Sequence, residues 1–115
     1  MKRLSAKQNR RNRSEYNKRY RRTLIGQFKQ YKDNAKTRGH EFDLSFDEFQ
    51  EIVTSWCYYC GEDPPVGVDR FDNAFGYRYD NVVPCCANCN YMKRHRTTDD
   101  FIAHVKRIAE LWKEA

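Results

Sequence analysis

Four cysteines stand in two C-x-x-C units, Cys57-Tyr-Tyr-Cys60 and Cys86-Ala-Asn-Cys89, with twenty-five residues between them. Each unit can offer two thiolates to one ion from a tight turn, and Gly61 supplies the backbone freedom such a turn requires. Four sulfurs about 2.3 Å from a metal close a tetrahedral Zn²⁺ site with no open position, so the expected role of Cys57, Cys60, Cys86 and Cys89 is structural. Cys85 is out of register with this set and is expected to point to the other side of a strand as a small buried hydrophobe. The odd count, five in all, argues against complete disulfide pairing; a redox dithiol is the competing reading of the clusters.

Between the two units lie Asp69-Arg70, Asp72 and Asp80-Asn81, and Asn90 follows the last cysteine directly. Taken singly, these are what surface ion pairs and turns are made of. Taken in order, "CYYCG", "VDR" and "YDNVVPCCANCNYMK" resemble the HNH nuclease family, in particular small zinc-stapled members from phages and other mobile elements. The resemblance covers residues 57–96, with a weaker likeness over "YKDNAKTRGHEFDLSFDEF". It implies a ββα-metal finger: a first strand over 67–71, a loop through Gly76 and Tyr77, a second strand over 81–86, and a helix from about Ala87. It also implies that Asp69 and Asn90 hold a catalytic Mg²⁺ or Mn²⁺, that Asn81 braces the loop, and that Arg94 meets a phosphate. One carboxylate and one amide oxygen are hard donors that suit such an ion with several retained waters.

Arg70 departs from the pattern, because members of the family typically carry there the histidine that takes a proton from the attacking water. A guanidinium cannot accept that proton at neutral pH. General-base catalysis contributes about 10²- to 10⁴-fold, so its loss slows an enzyme without silencing it. The expectation is that Arg70 clamps the scissile phosphate while Asp72, or water activated by the cation, supplies the base. His95, Tyr77 and Tyr79 are further candidates, and His40 and His104 are remote in sequence. His95, five positions after Asn90, points away unless the helix ends first.

These residues need elements to carry them. Tyr16, Tyr20, Leu24, Phe28, Tyr31 and Ala35 recur at spacings of three and four, which predicts an amphipathic helix over 14–38 with Gly39 as its stop. Ser45-x-x-Glu48 is a capping box opening a helix over 45–56 whose inner face is Phe46, Phe49, Val53 and Trp56. A last helix over 98–114 starts from Thr97 or Thr98, has Asp99 and Asp100 in its first turn, and shows Phe101, Val105, Ile108 and Trp112 as its inner stripe. Residues 1–13 have almost no apolar content and are expected to be a disordered basic tail. Residues 14–115 then form one domain, too small for two cores and well served by a structural metal.

The net charge of +6 is unevenly placed: residues 1–22 hold ten Lys/Arg and one acid, the remainder twelve Lys/Arg and fifteen acids. A basic head on a mildly acidic body points to a polyanion. Arg10, Arg11, Arg13, Lys18, Arg19, Arg21, Arg22, Lys93, Arg94 and Arg96 are the expected phosphate contacts. No apolar run approaches the ~18 residues of a membrane span and no secretory signal is evident, so an intracellular protein in the cytoplasm or nucleoid of a host cell, viral or phage encoded and not secreted, is expected.

The sequence thus predicts a mostly helical α+β fold: a zinc-stapled ββα-metal finger between a long basic helix and a C-terminal helix. The resemblance implies a metal-dependent DNA endonuclease with structural Zn²⁺ and catalytic Mg²⁺ or Mn²⁺. One finger makes one cut, so double-strand cleavage would take a homodimer or two successive nicks. The alternative is a zinc-held nucleic-acid-binding or virion-associated protein that has lost the base.

Overall fold

The computed structural model describes residues 6–114; the side chains of residues 6–14, 16, 17, 20 and 21 lie outside the described part, as do residues 1–5 and 115. Helix α1 runs Ala6–Thr37, so it begins inside the segment expected to be disordered. Its opening residues, Ala6, Lys7, Gln8 and Arg10 among them, are strong helix formers, and a helix can extend on propensity without an apolar stripe. The helix stops where expected. Gly39 adopts φ 75°, with its N–H on Lys36 O at 3.1 Å and the N–H of His40 on Ala35 O at 2.8 Å, a Schellman turn.

The turn hands the chain to strand β1, Phe42–Asp43, and then to helix α2, Phe46–Val53. Ser45 caps α2 as predicted: its Oγ accepts from Glu48 N at 3.1 Å while Glu48 Oε1 accepts from Ser45 N at 2.8 Å. The helix ends three residues early, at Val53 with Thr54 as its C-cap, and the helical phase is lost before Trp56. Trp56 is therefore 70% exposed rather than buried, and Ile52 takes the inner place beside Phe49 and Val53.

Strands β2, Gly67–Arg70, and β4, Val82–Cys85, form an antiparallel pair in which Asp69 faces Val83 and Arg70 faces Val82. Between them β3, Tyr77–Arg78, lies parallel to β1, and a 3₁₀ turn over Tyr79–Asn81 leads into β4. Gly76 passes so close to β1 that a Cβ there would sit 2.5 Å from Glu41 O, which forbids any side chain. Helix α3, Ala87–Lys93, follows β4 directly with Cys86 as its N-cap, and helix α4, Thr98–Trp112, starts from Thr97, whose Oγ1 accepts from Asp100 N at 3.1 Å.

The expected mixed α+β architecture with a ββα unit is thus observed. The main core joins α1 to the finger through Leu24, Leu44, Phe49, Ile52, Val53 and Val68, with Phe28, Tyr31 and Phe42 packed on it. Phe28 sits in an aromatic cage, 5.5 Å from Phe42, 5.7 Å from Phe46 and 5.5 Å from Phe49, at angles that favour edge contacts. The C-terminal stripe does not follow the prediction. Phe101 is buried and Val105 half-buried, but Ile108 is 47% and Trp112 66% exposed, because no other described element reaches that end of α4. Among the described residues no helix is long and apolar enough to cross a membrane.

Candidate functional site

The cysteine cluster forms where the chain makes two sharp turns side by side. Gly61, at φ 77°, closes the first, its N–H reaching Cys57 O at 3.0 Å; the start of α3 closes the second. The Sγ atoms of Cys57, Cys60, Cys86 and Cys89 lie within 4.8 Å of one another, and Cys60 to Cys86 is 3.6 Å. Tetrahedral zinc thiolates are about 3.8 Å apart at a Zn–S bond of about 2.3 Å, so the cluster fits a metal such as zinc. Two backbone N–H groups already point at sulfur, Cys86 N at Cys57 Sγ (3.3 Å) and Cys89 N at Cys86 Sγ (3.4 Å). Burial alone pushes Cys57 up, but the N–H groups of Cys86, Cys60 and Tyr59 outweigh it and bring its thiol down to about 6, whereas burial and the neighbouring sulfurs raise the thiol of Cys89. Cys85 stands apart as expected: it is buried, outside the four-sulfur set, and burial raises its thiol well above the ordinary value.

The residues singled out around the finger sort into three groups. Asp69, Arg70 and Asn90 line one cleft of about 1130 Å³, together with Tyr77, Arg94 and His95. His95 reaches the cleft because α3 stops at Lys93, with Arg94 at φ 51° capping it. The opposite wall comes from the C-terminal half of α1 and its cap: Gln27, Gln30, Asn34 and Arg38 at helical spacing, then His40. Burial, then the guanidinium groups of Arg70 and Arg38, lowers the His40 imidazole below its ordinary value and favours its neutral form.

A second group braces the loop. Asn81, 6% exposed, donates from Nδ2 to Asp72 O (3.0 Å) and Gly76 O (2.9 Å) and accepts from Asp72 N at Oδ1 (3.0 Å). Arg70 adds Nη1 bonds to Asn73 O (3.1 Å) and Phe75 O (3.0 Å), so part of its guanidinium holds the loop. Asp72 does not line the cleft: its exposed carboxylate caps its own turn through Ala74 N at 2.9 Å. Tyr79 is likewise turned away, its hydroxyl on Glu51 at 2.9 Å.

The third group was missed in the sequence. Lys93, expected on the DNA, is 0% exposed; its ammonium sits 2.9 Å from Asp69 Oδ2 and donates to Arg70 O at 3.1 Å. Tyr59 donates to the same Asp69 Oδ2 at 2.7 Å and lies 2.9 Å from Thr98 Oγ1, which reaches Phe71 O at 3.2 Å. Burial, eased by Thr98 and reinforced by Asp69, keeps the Tyr59 phenol protonated. The available signal was spacing: Lys93 lies one helical turn from Cys89 and two from Cys86, on the buried face of α3.

Of the other expected phosphate contacts, Lys18, Arg19, Arg22, Arg94 and Arg96 are exposed. The side chains of Arg10, Arg11, Arg13 and Arg21 lie outside the described residues.

No protein-family model matches the chain. Over 98 residues, 83% of its length, it is 37% identical to the uncharacterized protein R423 of Acanthamoeba polyphaga mimivirus. It spans only 18% of that relative's length. Among solved structures it is similar to the rare-cutting HNH restriction endonuclease PacI, with a TM-score of 0.59 and 20% identity over 78% of this chain and 79% of that one. The chain shares its fold with an HNH endonuclease, and its cysteine cluster could hold a metal such as zinc.

Proposed function

We propose that the protein is a metal-dependent endonuclease that hydrolyses DNA phosphodiester bonds. The observation that supports this reading is the cleft that Asp69, Arg70 and Asn90 all line, with a wall contributed by the C-terminal half of the basic helix. Asp69 Oδ1 accepts no hydrogen bond from any described residue and Asn90 is exposed, so a carboxylate and an amide oxygen are available to a Mg²⁺ or Mn²⁺ with room for waters. Such an ion, when bound, supplies charge neutralisation at the phosphate and stabilises the departing 3′ oxygen.

The chain's own residues do the rest. Arg70 faces the scissile phosphate with the part of its guanidinium not spent on the loop. Asn81 holds the loop so that Arg70 and Tyr77 keep their places. Lys18, Arg19 and Arg22 follow the phosphate backbone along α1, which leads it to Gln30, Asn34 and Arg38 at the cleft wall. The proton acceptor is His40 rather than Asp72, because His40 lines the cleft and its neutral form is favoured there.

Plasmid nicking with Mg²⁺ or Mn²⁺ tests the reading: Asp69→Ala should abolish it, and a wild-type protein that nicks no duplex, branched or single-stranded substrate would leave only a nucleic-acid binder. His40→Ala should cost about 10²- to 10⁴-fold in rate. Because His40 is held below its ordinary value, the wild-type rate should climb with pH only in the acidic range and be level by neutrality. A rate still rising through pH 8 would point to another base.

A further inference from the structure

The carboxylate of Asp69 has two unlike oxygens. Oδ2 takes both the Lys93 ammonium at 2.9 Å and the Tyr59 hydroxyl at 2.7 Å. Oδ1 receives nothing from the described residues, while the residue lines the cleft. The two donors are themselves fixed. Lys93 is fully buried and also bound to Arg70 O, and Tyr59 is tied through Thr98 to Phe71 O, so the support reaches the first residue of α4. Tyr59 comes from the cysteine turn between Cys57 and Cys60, and Lys93 from the end of α3, so both donors move only if the sulfur-held scaffold moves.

We propose that Lys93 and Tyr59 are positioning residues that hold Asp69 by Oδ2 and thereby present Oδ1 alone as a one-oxygen ligand to a hard divalent cation. This rests on the cation site described under the proposed function. A carboxylate gripped at one oxygen cannot swing to chelate with both, and it meets the ion with its rotamer already set. The paired ammonium also means that the ion joins a carboxylate whose charge is already balanced. Exchangeable binding, retained waters and a fixed direction of approach follow from that arrangement.

Mn²⁺ titration of the zinc-loaded full chain, read by the electron paramagnetic resonance of free ion, tests this without reference to activity. Lys93→Met, close in shape and lacking the charge, should weaken Mn²⁺ binding by about 10- to 100-fold with zinc content and circular dichroism unchanged. Tyr59→Phe removes one hydrogen bond and no charge, and should weaken binding in the same direction by a smaller factor. In nicking assays the rate lost by either variant should return at higher Mn²⁺. Should Lys93→Met fail to fold, Tyr59→Phe carries the test alone. Unchanged affinity in the folded variants overturns the proposal, and tighter binding in Lys93→Met overturns it in favour of a lysine that competes with the ion. Asp69→Asn separates the two readings. If it loses Mn²⁺ while Lys93→Met and Tyr59→Phe do not, only the positioning role falls; if it too binds Mn²⁺ as wild type does, the cation site falls with it.

Discussion

Asn81 shows how one side chain can set a loop. Its three hydrogen bonds, to both backbone groups of Asp72 and to Gly76 O, close residues 72–76 into a fixed shape between β2 and β3. Leaving such buried partners unmet costs about 1–3 kcal/mol each, partly relieved where water can enter. Asn81→Ala should therefore lower the unfolding free energy by about 2 kcal/mol in denaturant melts and reduce nicking, since Arg70 leans on carbonyls of the same loop. Asn81→Asp keeps the acceptor and loses the donors, so it should recover little. Phe49 makes the complementary case. It is fully buried at the centre of the aromatic cluster, and Phe49→Ala should cost about 3–5 kcal/mol, which calorimetry can check against the Asn81 variant.

At the scale of elements, α1 has two jobs on different faces. Leu24, Phe28, Tyr31 and Ala35 pack inward, Gln27, Gln30, Asn34 and Arg38 form the cleft wall, and Lys18, Arg19 and Arg22 are exposed toward the N-terminal end. If this helix tracks phosphates, the triple replacement of Lys18, Arg19 and Arg22 by Ala should reduce the slope of log affinity against log salt by nearly 3 in fluorescence titrations, at about 0.9 per contact. A slope that does not change would remove α1 from the DNA interface. The Schellman turn at Gly39 sets where α1 ends and where His40 points. Gly39→Val forces a β-branched residue to φ 75° and should lower stability by at least 1–2 kcal/mol while displacing His40, so its loss of nicking should exceed what the melting shift explains.

For the whole molecule, the four sulfurs join the Cys57 to Gly61 turn to the junction of β4 and α3, and the second, smaller buried cluster of Val66, Cys85 and their neighbours forms around them. Holding four thiolates near one another without an ion is unfavourable, so an ion bound there would contribute folding free energy outright. Chelation strong enough to strip that ion should collapse the near-ultraviolet circular dichroism and the cleft together, and zinc should restore both. Cys89→Ser should behave as the chelated protein does. A chain that keeps its tertiary signal after the ion is gone would show that the aromatic core suffices alone.

The sequence by itself determined the gathering of four cysteines into one cluster, the separate role of Cys85, the capping box at Ser45 and the stop at Gly39, because each depends on residue type and spacing, whereas the ββα hairpin was implied by the resemblance of its motifs to the HNH family. It misplaced Trp56, Ile108 and Trp112, since periodicity marks an apolar face without saying whether anything packs there or where a helix loses phase. It also set Lys93 on the DNA, because a lysine reads as surface until its partner is known. Only the tertiary structure brought Lys93 and Tyr59 to one oxygen of Asp69, and carried His40 from a distant turn to the cleft while leaving Asp72 outside it. Those placements depend on how α1, the finger and α4 pack on one another, and no local pattern of residues encodes the position of a side chain relative to an element far away in the chain.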